Sequence, residues 1–172
     1  MQKPFNPLIQ TYEVSELARE CGSEDSLILK AIEESELNDI RPAIGDSAYY
    51  AVKKDPEKYD LLLKGGEYED ACGGVRMFVG LKTTLAYYTW ARLAKTSPYN
   101  LTRFGFVVKN DDYSSRPEWS ERQAAYNDAY SIADSYMRDC LEYIKASGSF
   151  DDCCGGVSDQ NTTRSFTRII GD

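Results

Sequence analysis

Residues 117–146, PEWSERQAAYNDAYSIADSYMRDCLEYIKA, decide how the chain folds. Their apolar positions Tyr126, Tyr130, Ala133, Met137, Cys140 and Ile144 are spaced four, three, four, three and four residues apart. That alternation holds one stripe along one side of a helix, as at the seam of a bundle or coiled coil. Ala129, Tyr136 and Tyr143 widen the stripe. Pro117 suits the first turn, where its missing N–H costs nothing. At about 1.5 Å per residue this helix is about 45 Å long.

Upstream, the pattern predicts a second long helix from Val75 to Thr96. It carries one stripe of Phe78, Leu81, Leu85 and Tyr88 and another of Val79, Ala86, Trp90 and Leu93. A helix with two apolar faces sits centrally in its domain. Between the two helices the period changes: Phe104, Phe106 and Val108 alternate with Arg103, Gly105 and Val107, which suits a strand over 101–109. One strand cannot satisfy its own backbone groups, so it must form a hairpin or pair with an arm or a neighbour.

Shorter helices are expected before these. Ser23 is a candidate N-cap for a helix over 24–40 that buries Ile28, Ala31, Ile32 and Ile40 and stops at Pro42. Gly45-Asp46 restarts the chain into a helix through Lys54. Asp55-Pro56 opens another, carrying Tyr59, Leu62 and Leu63 and halted by Gly65-Gly66. The expected fold is mainly α: a small helical bundle with two long helices, a short β segment in the connecting loop, and extended N- and C-terminal arms. The boundaries are an arm over 1–22, a helical domain over 23–147 and a tail over 148–172. Asp70-Ala71-Cys72-Gly73-Gly74-Val75 and Asp152-Cys153-Cys154-Gly155-Gly156-Val157 read as two similar turns rather than a repeat.

Of 172 residues, 42% are hydrophobic and 28% charged, which argues against wholesale disorder. The net charge of −8 argues against wrapping nucleic acid, which needs cations at the phosphates. No apolar run is long enough to span a bilayer. Met1-Gln2-Lys3-Pro4-Phe5-Asn6-Pro7 lacks a signal core, so the expectation is a protein made on the cytoplasmic side. The thirteen tyrosines suit protein interfaces or a helical core equally well.

Candidate chemistry is sparse. With no histidine, Ser-His-Asp and Cys-His catalysis are excluded and a zinc site is disfavoured. The odd set Cys21, Cys72, Cys140, Cys153 and Cys154 reads as free thiols. Cys72, just before Gly73-Gly74 and the predicted helix, is the best placed for activation by a helix N-terminus; the same Gly-Gly could hold an anion there. The acids, including Glu33, Glu34 and Glu36, read as a solvated helix face. These residues leave open a thiol- or carboxylate-dependent enzyme and an intracellular helical scaffold.

Four segments recur in a familiar order. They are residues 40–50 (IRPAIGDSAYY), 59–68 (YDLLLKGGEY), 80–92 (GLKTTLAYYTWAR) and 101–109 (LTRFGFVVK), followed by the tyrosine-rich helix. The order resembles the head–tail connector (adaptor) proteins of Bacteroidetes-infecting tailed phages, including crAss-like phages, over residues 8–146. The resemblance implies a virion structural protein, made in the bacterial host cytoplasm and placed in the neck between capsid and tail. It implies a dodecameric ring beneath the portal, with no catalysis, metal or cofactor. The implied partners are other copies of the chain, the portal protein, tail or further neck proteins, and passing genomic DNA, but no membrane. Arg103, Phe104, Phe106, Lys109 and Tyr113 are then expected on a subunit-facing or channel-facing loop. Arg164, Phe166, Arg168, Ile169 and Ile170, basic and apolar in an acidic protein, are expected to dock on the portal as an added strand.

Overall fold

The computed structural model describes residues 5–70, 72–96, 100–102, 105–107, 119–148 and 150. Among these residues the architecture is mainly helical with two small antiparallel hairpins. Helix α1 covers Thr11–Leu17 and α2 Asp25–Ser35. A π-helical turn, Glu36–Ile40, leads into α3 (Arg41–Ile44), and α4 follows over Asp46–Lys54. A 3₁₀ turn precedes α5 (Asp60–Lys64), which runs into β1 (Gly66–Glu69) and β2 (Val75–Phe78). Helix α6 spans Gly80–Thr96, β3 Asn100–Thr102, β4 Gly105–Val107 and α7 Trp119–Ser147.

Helix α6 is the axis of the core and touches α1, α2, α5 and α7. Leu81, Leu85, Ala86, Tyr88 and Leu93 are buried on it, drawn from both predicted stripes. The expected α7 seam meets this helix through Ala133, Met137, Cys140 and Ile144, all buried, with Ala129 beside them. Tyrosine rings fill the rest of the α6–α7 contact: Tyr87 meets Tyr136 edge-on at 5.5 Å, and Tyr88 meets Tyr130 at 5.0 Å. Such pairs add to the area they bury. Most tyrosines whose surroundings are described thus serve the interior, while Tyr12 and Tyr50 remain exposed.

Three expectations are corrected. Pro42 does not end the second helix; the chain stays helical to Ile44 and stops at Gly45, whose φ is +87°. Pro42 has no N–H to give to the preceding turn, and the widened π turn ahead of it accommodates that loss. The long central helix begins at Gly80 rather than Val75, because Val75–Phe78 pairs with Gly66–Glu69 instead. The β segment expected over 101–109 takes the hairpin form among the pairings left open to it, with Leu101 opposite Phe106 and Thr102 opposite Gly105. Reversing the chain satisfies backbone groups that one strand would leave open. Residues 5–20, expected as part of an arm, lie against the body through Ile9 and Val14, both fully buried.

The junctions α5–β1 and β2–α6 meet backbone to backbone. Gly65 (φ +82°) and Gly80 (φ +86°) face each other there. A Cβ on Gly80 would run into the Gly65 amide nitrogen and lie 2.6 Å from the Leu63 carbonyl oxygen. One on Gly65 would lie 2.7 Å from the Gly80 nitrogen. Steric overlap and an unfavourable φ therefore act together. Gly80→Ala is expected to destabilise the fold by about 3 kcal/mol, read as a lower urea midpoint, whereas alanine at exposed Lys95 should change little.

Candidate functional site

The most concentrated polar structure is the π turn. It points two carboxylates in different directions. Glu36 is 0% exposed. Its Oε1 accepts the Leu8 N–H at 2.5 Å, and its Oε2 accepts the Tyr49 hydroxyl at 2.7 Å and lies 2.6 Å from the Lys53 Nζ. Lys53 also donates to the Asn6 carbonyl and sits 4.4 Å above the Phe5 ring. Burial and the Glu36 carboxylate together push the Tyr49 phenol far above its ordinary range. Tyr49 and Lys53, four apart on α4, share one helix face, and both reach Glu36.

Asp39 faces the other way. Its Oδ2 accepts both Nη2 and Nε of Arg92, at 2.6 and 3.2 Å, and its Oδ1 accepts the Tyr130 hydroxyl at 3.0 Å. Beside it the Tyr88 hydroxyl donates to Asp134 at 2.6 Å. The π turn is thus fastened to the N-terminal segment and α4 by Glu36, and to α6 and α7 by Asp39. The expected solvated face fails at Glu36: the helix widens there, and a lysine and a tyrosine take the place of water. The sequence marks Glu36 only as a surface acid and Asp39 not at all; the one local signal is the Tyr49/Lys53 spacing on the next helix.

These carboxylates fasten structure. Both oxygens of Glu36 are occupied, and neither Glu36 nor Asp39 lines the cavity of about 290 Å³ among Lys58, Tyr59, Leu61, Leu62, Tyr143 and Phe150. Among the described residues no group of three or more His, Cys, Asp or Glu side chains could hold a metal.

Cys72 is not at a helix N-terminus. It lies exposed in the β1–β2 turn, with a four-residue strand between it and α6. The turn is built by Asp70, whose Oδ1 accepts the Cys72 and Gly74 N–H groups at 2.9 Å each and whose Oδ2 accepts Arg76 Nε at 3.0 Å. Those hydrogen bonds, led by the two backbone ones, hold the Asp70 carboxyl below its usual range. Gly73-Gly74 therefore serve a hairpin turn, and neither the anion site nor the activated thiol has a helix end to use. Cys140, as expected, is core: burial pushes its thiol up to about 11.

The β1–β2 hairpin also presents two exposed apolar side chains. Val75 and Met77 are 69% and 75% exposed, while Phe78 points inward and stacks on Tyr143 at 4.6 Å. Of the loop residues named from the sequence, Phe106 lies in β4 opposite Leu101; Arg103, Phe104, Lys109 and Tyr113 lie outside the described residues. So do Arg164, Phe166, Arg168, Ile169 and Ile170 of the tail, together with Cys153 and Cys154.

The model of DUF6712, a family of unknown function, matches residues 40–159, and the chain belongs to that family. No curated protein and no solved structure matches it.

Glu36→Ala should destabilise the protein by about 3–5 kcal/mol, the effect of stranding a buried partner charge, and should expose the N-terminal segment to protease; Glu36→Gln should be milder, since its one carbonyl oxygen can still accept from Tyr49 and Lys53. Thiol labelling at pH 8 should modify Cys72 at once and Cys140 only on unfolding. The raised Cys140 value makes the native state hold its proton longer than the unfolded chain. Its contribution to stability is therefore complete below about pH 9 and is lost as pH rises through about 11. Urea titrations across that window should show a smaller decline in Cys140→Ala.

Proposed function

We propose that this DUF6712 protein is a non-enzymatic virion subunit: a head-to-tail connector of a tailed phage. In this reading it forms a ring beneath the portal and joins capsid to tail while DNA passes through. The observation that carries the reading is how polar and apolar groups are divided. Inside the described body, Glu36, Asp39 and Asp134 are matched to lysine, arginine or tyrosine and hold helices to one another. Outside it, two hairpins present strand edges that pair with no further strand among the described residues. A body fastened from within, with open edges outward, suits a subunit whose work is contact with neighbours.

The four segments on which the connector resemblance rests support the same reading. Residues 40–50 span α3 and the first part of α4, 59–68 span α5 and most of β1, 80–92 lie in α6, and 101–109 overlap β3 and contain β4. They make the frame of the fold and not one pocket, as expected of a family defined by assembly. The net charge of −8 fits a channel through which DNA slides without being held.

Electron microscopy of the purified protein, alone and mixed with its cognate portal, tests the proposal. The expected outcome is single subunits alone and a closed, dodecameric ring seated on the portal in the mixture. Portal particles that remain bare at micromolar subunit concentration would refute it.

A further inference from the structure

The β1–β2 hairpin has an inner and an outer face. Tyr68 and Phe78 pack inward on Tyr143. On the outer face the register sets Glu67 beside Met77 and Glu69 beside Val75. Two carboxylates thus run along one strand and two exposed apolar side chains along the other. Among the described residues β2 pairs only with β1, so its outer edge has no strand beside it. An open edge bordered by exposed apolar groups is suited to accept a further strand.

The chain carries a segment of complementary character. Arg164, Phe166, Arg168 and Ile170 alternate with Ser165, Thr167 and Ile169. On a strand the first four share a face that reads cation, apolar, cation, apolar. Arg164 and Arg168 are the only basic residues after Lys145. The path to the tail also starts close by: Phe150 stacks on Tyr59 at 5.1 Å and lines the same cavity as Tyr143, which touches the hairpin's Tyr68 and Phe78. Residues 151–163 then offer a reach of up to about 45 Å, ample for a return to β2.

We propose that residues 164–170 add to the β2 edge of the chain's own hairpin as a third strand. Phe166 and Ile170 cover Val75 and Met77, and the long Arg164 and Arg168 side chains reach across β2 toward Glu67 and Glu69. The tail thereby closes an edge and an apolar patch that the body leaves open. The inference does not depend on the connector reading, since the docking site and its occupant belong to one chain.

Hydrogen exchange on the full chain, without portal, tests it. Amides of 164–170 should exchange roughly tenfold more slowly than in a free peptide of the same sequence, and equally so at all protein concentrations. In V75K/M77K, two substitutions at exposed positions, they should return to the peptide rate while α6 and α7 stay protected. Exchange at the peptide rate in the wild type would overturn the proposal, as would protection that survives V75K/M77K. Protection that grows with concentration would also overturn it, by assigning the tail to a second copy.

Discussion

The close approach of Gly65 to Gly80 governs where the rest of the chain can go. Helix α6 is buried against four other helices, so its start has to be made without a side chain in the way. Both glycines adopt positive φ, and their backbones touch where any Cβ would collide. The contact ends α5, turns the chain into the β1–β2 hairpin, and returns it to begin α6 in the middle of the core. The hairpin's inner face then lies on α7, because Phe78 stacks on Tyr143 and Tyr68 meets the same ring edge-on.

Around this axis the π turn acts as a second organiser. A regular helix would place Glu36 and Asp39 about one turn apart on neighbouring faces. Here they bind opposite partners, Lys53 and Tyr49 on one side, Arg92 and Tyr130 on the other. Replacing such buried pairs with apolar side chains is often neutral for stability. Their effect is to specify which helices meet and at what register. The tyrosines share that work, since a ring fills space between helices while its hydroxyl reaches a carboxylate, as Tyr88 does with Asp134 and Tyr130 with Asp39.

This division bears on function. Among the described residues the buried carboxylates Glu36 and Asp39 join elements, and the exposed thiol Cys72 sits in a turn held by Asp70. The two exposed apolar positions of the β1–β2 hairpin, Val75 and Met77, lie side by side on one face of β2. This division of polar groups is the feature on which the connector proposal rests.

What the sequence determined alone was the helical class and the main seam. The four–three spacing from Tyr126 to Ile144 and the stripes of α6 are local periodicities, and burial follows them because a helix has one geometry. Tertiary structure decided the rest. Val75–Phe78 had helical neighbours and a helix-compatible pattern, yet it became a strand because Gly66–Glu69 lay opposite and Gly80 broke the helix behind it. Pro42 marked a helix end on local grounds, but a π turn let the helix continue past it. Glu36 looked like any surface acid. Whether a carboxylate is solvated depends on what lies opposite it, and Lys53, Tyr49 and the Leu8 amide reach it only after α2, α4 and the N-terminal segment have packed. Contacts between residues far apart in the chain leave no periodic signature, so no reading of neighbours along the sequence finds them.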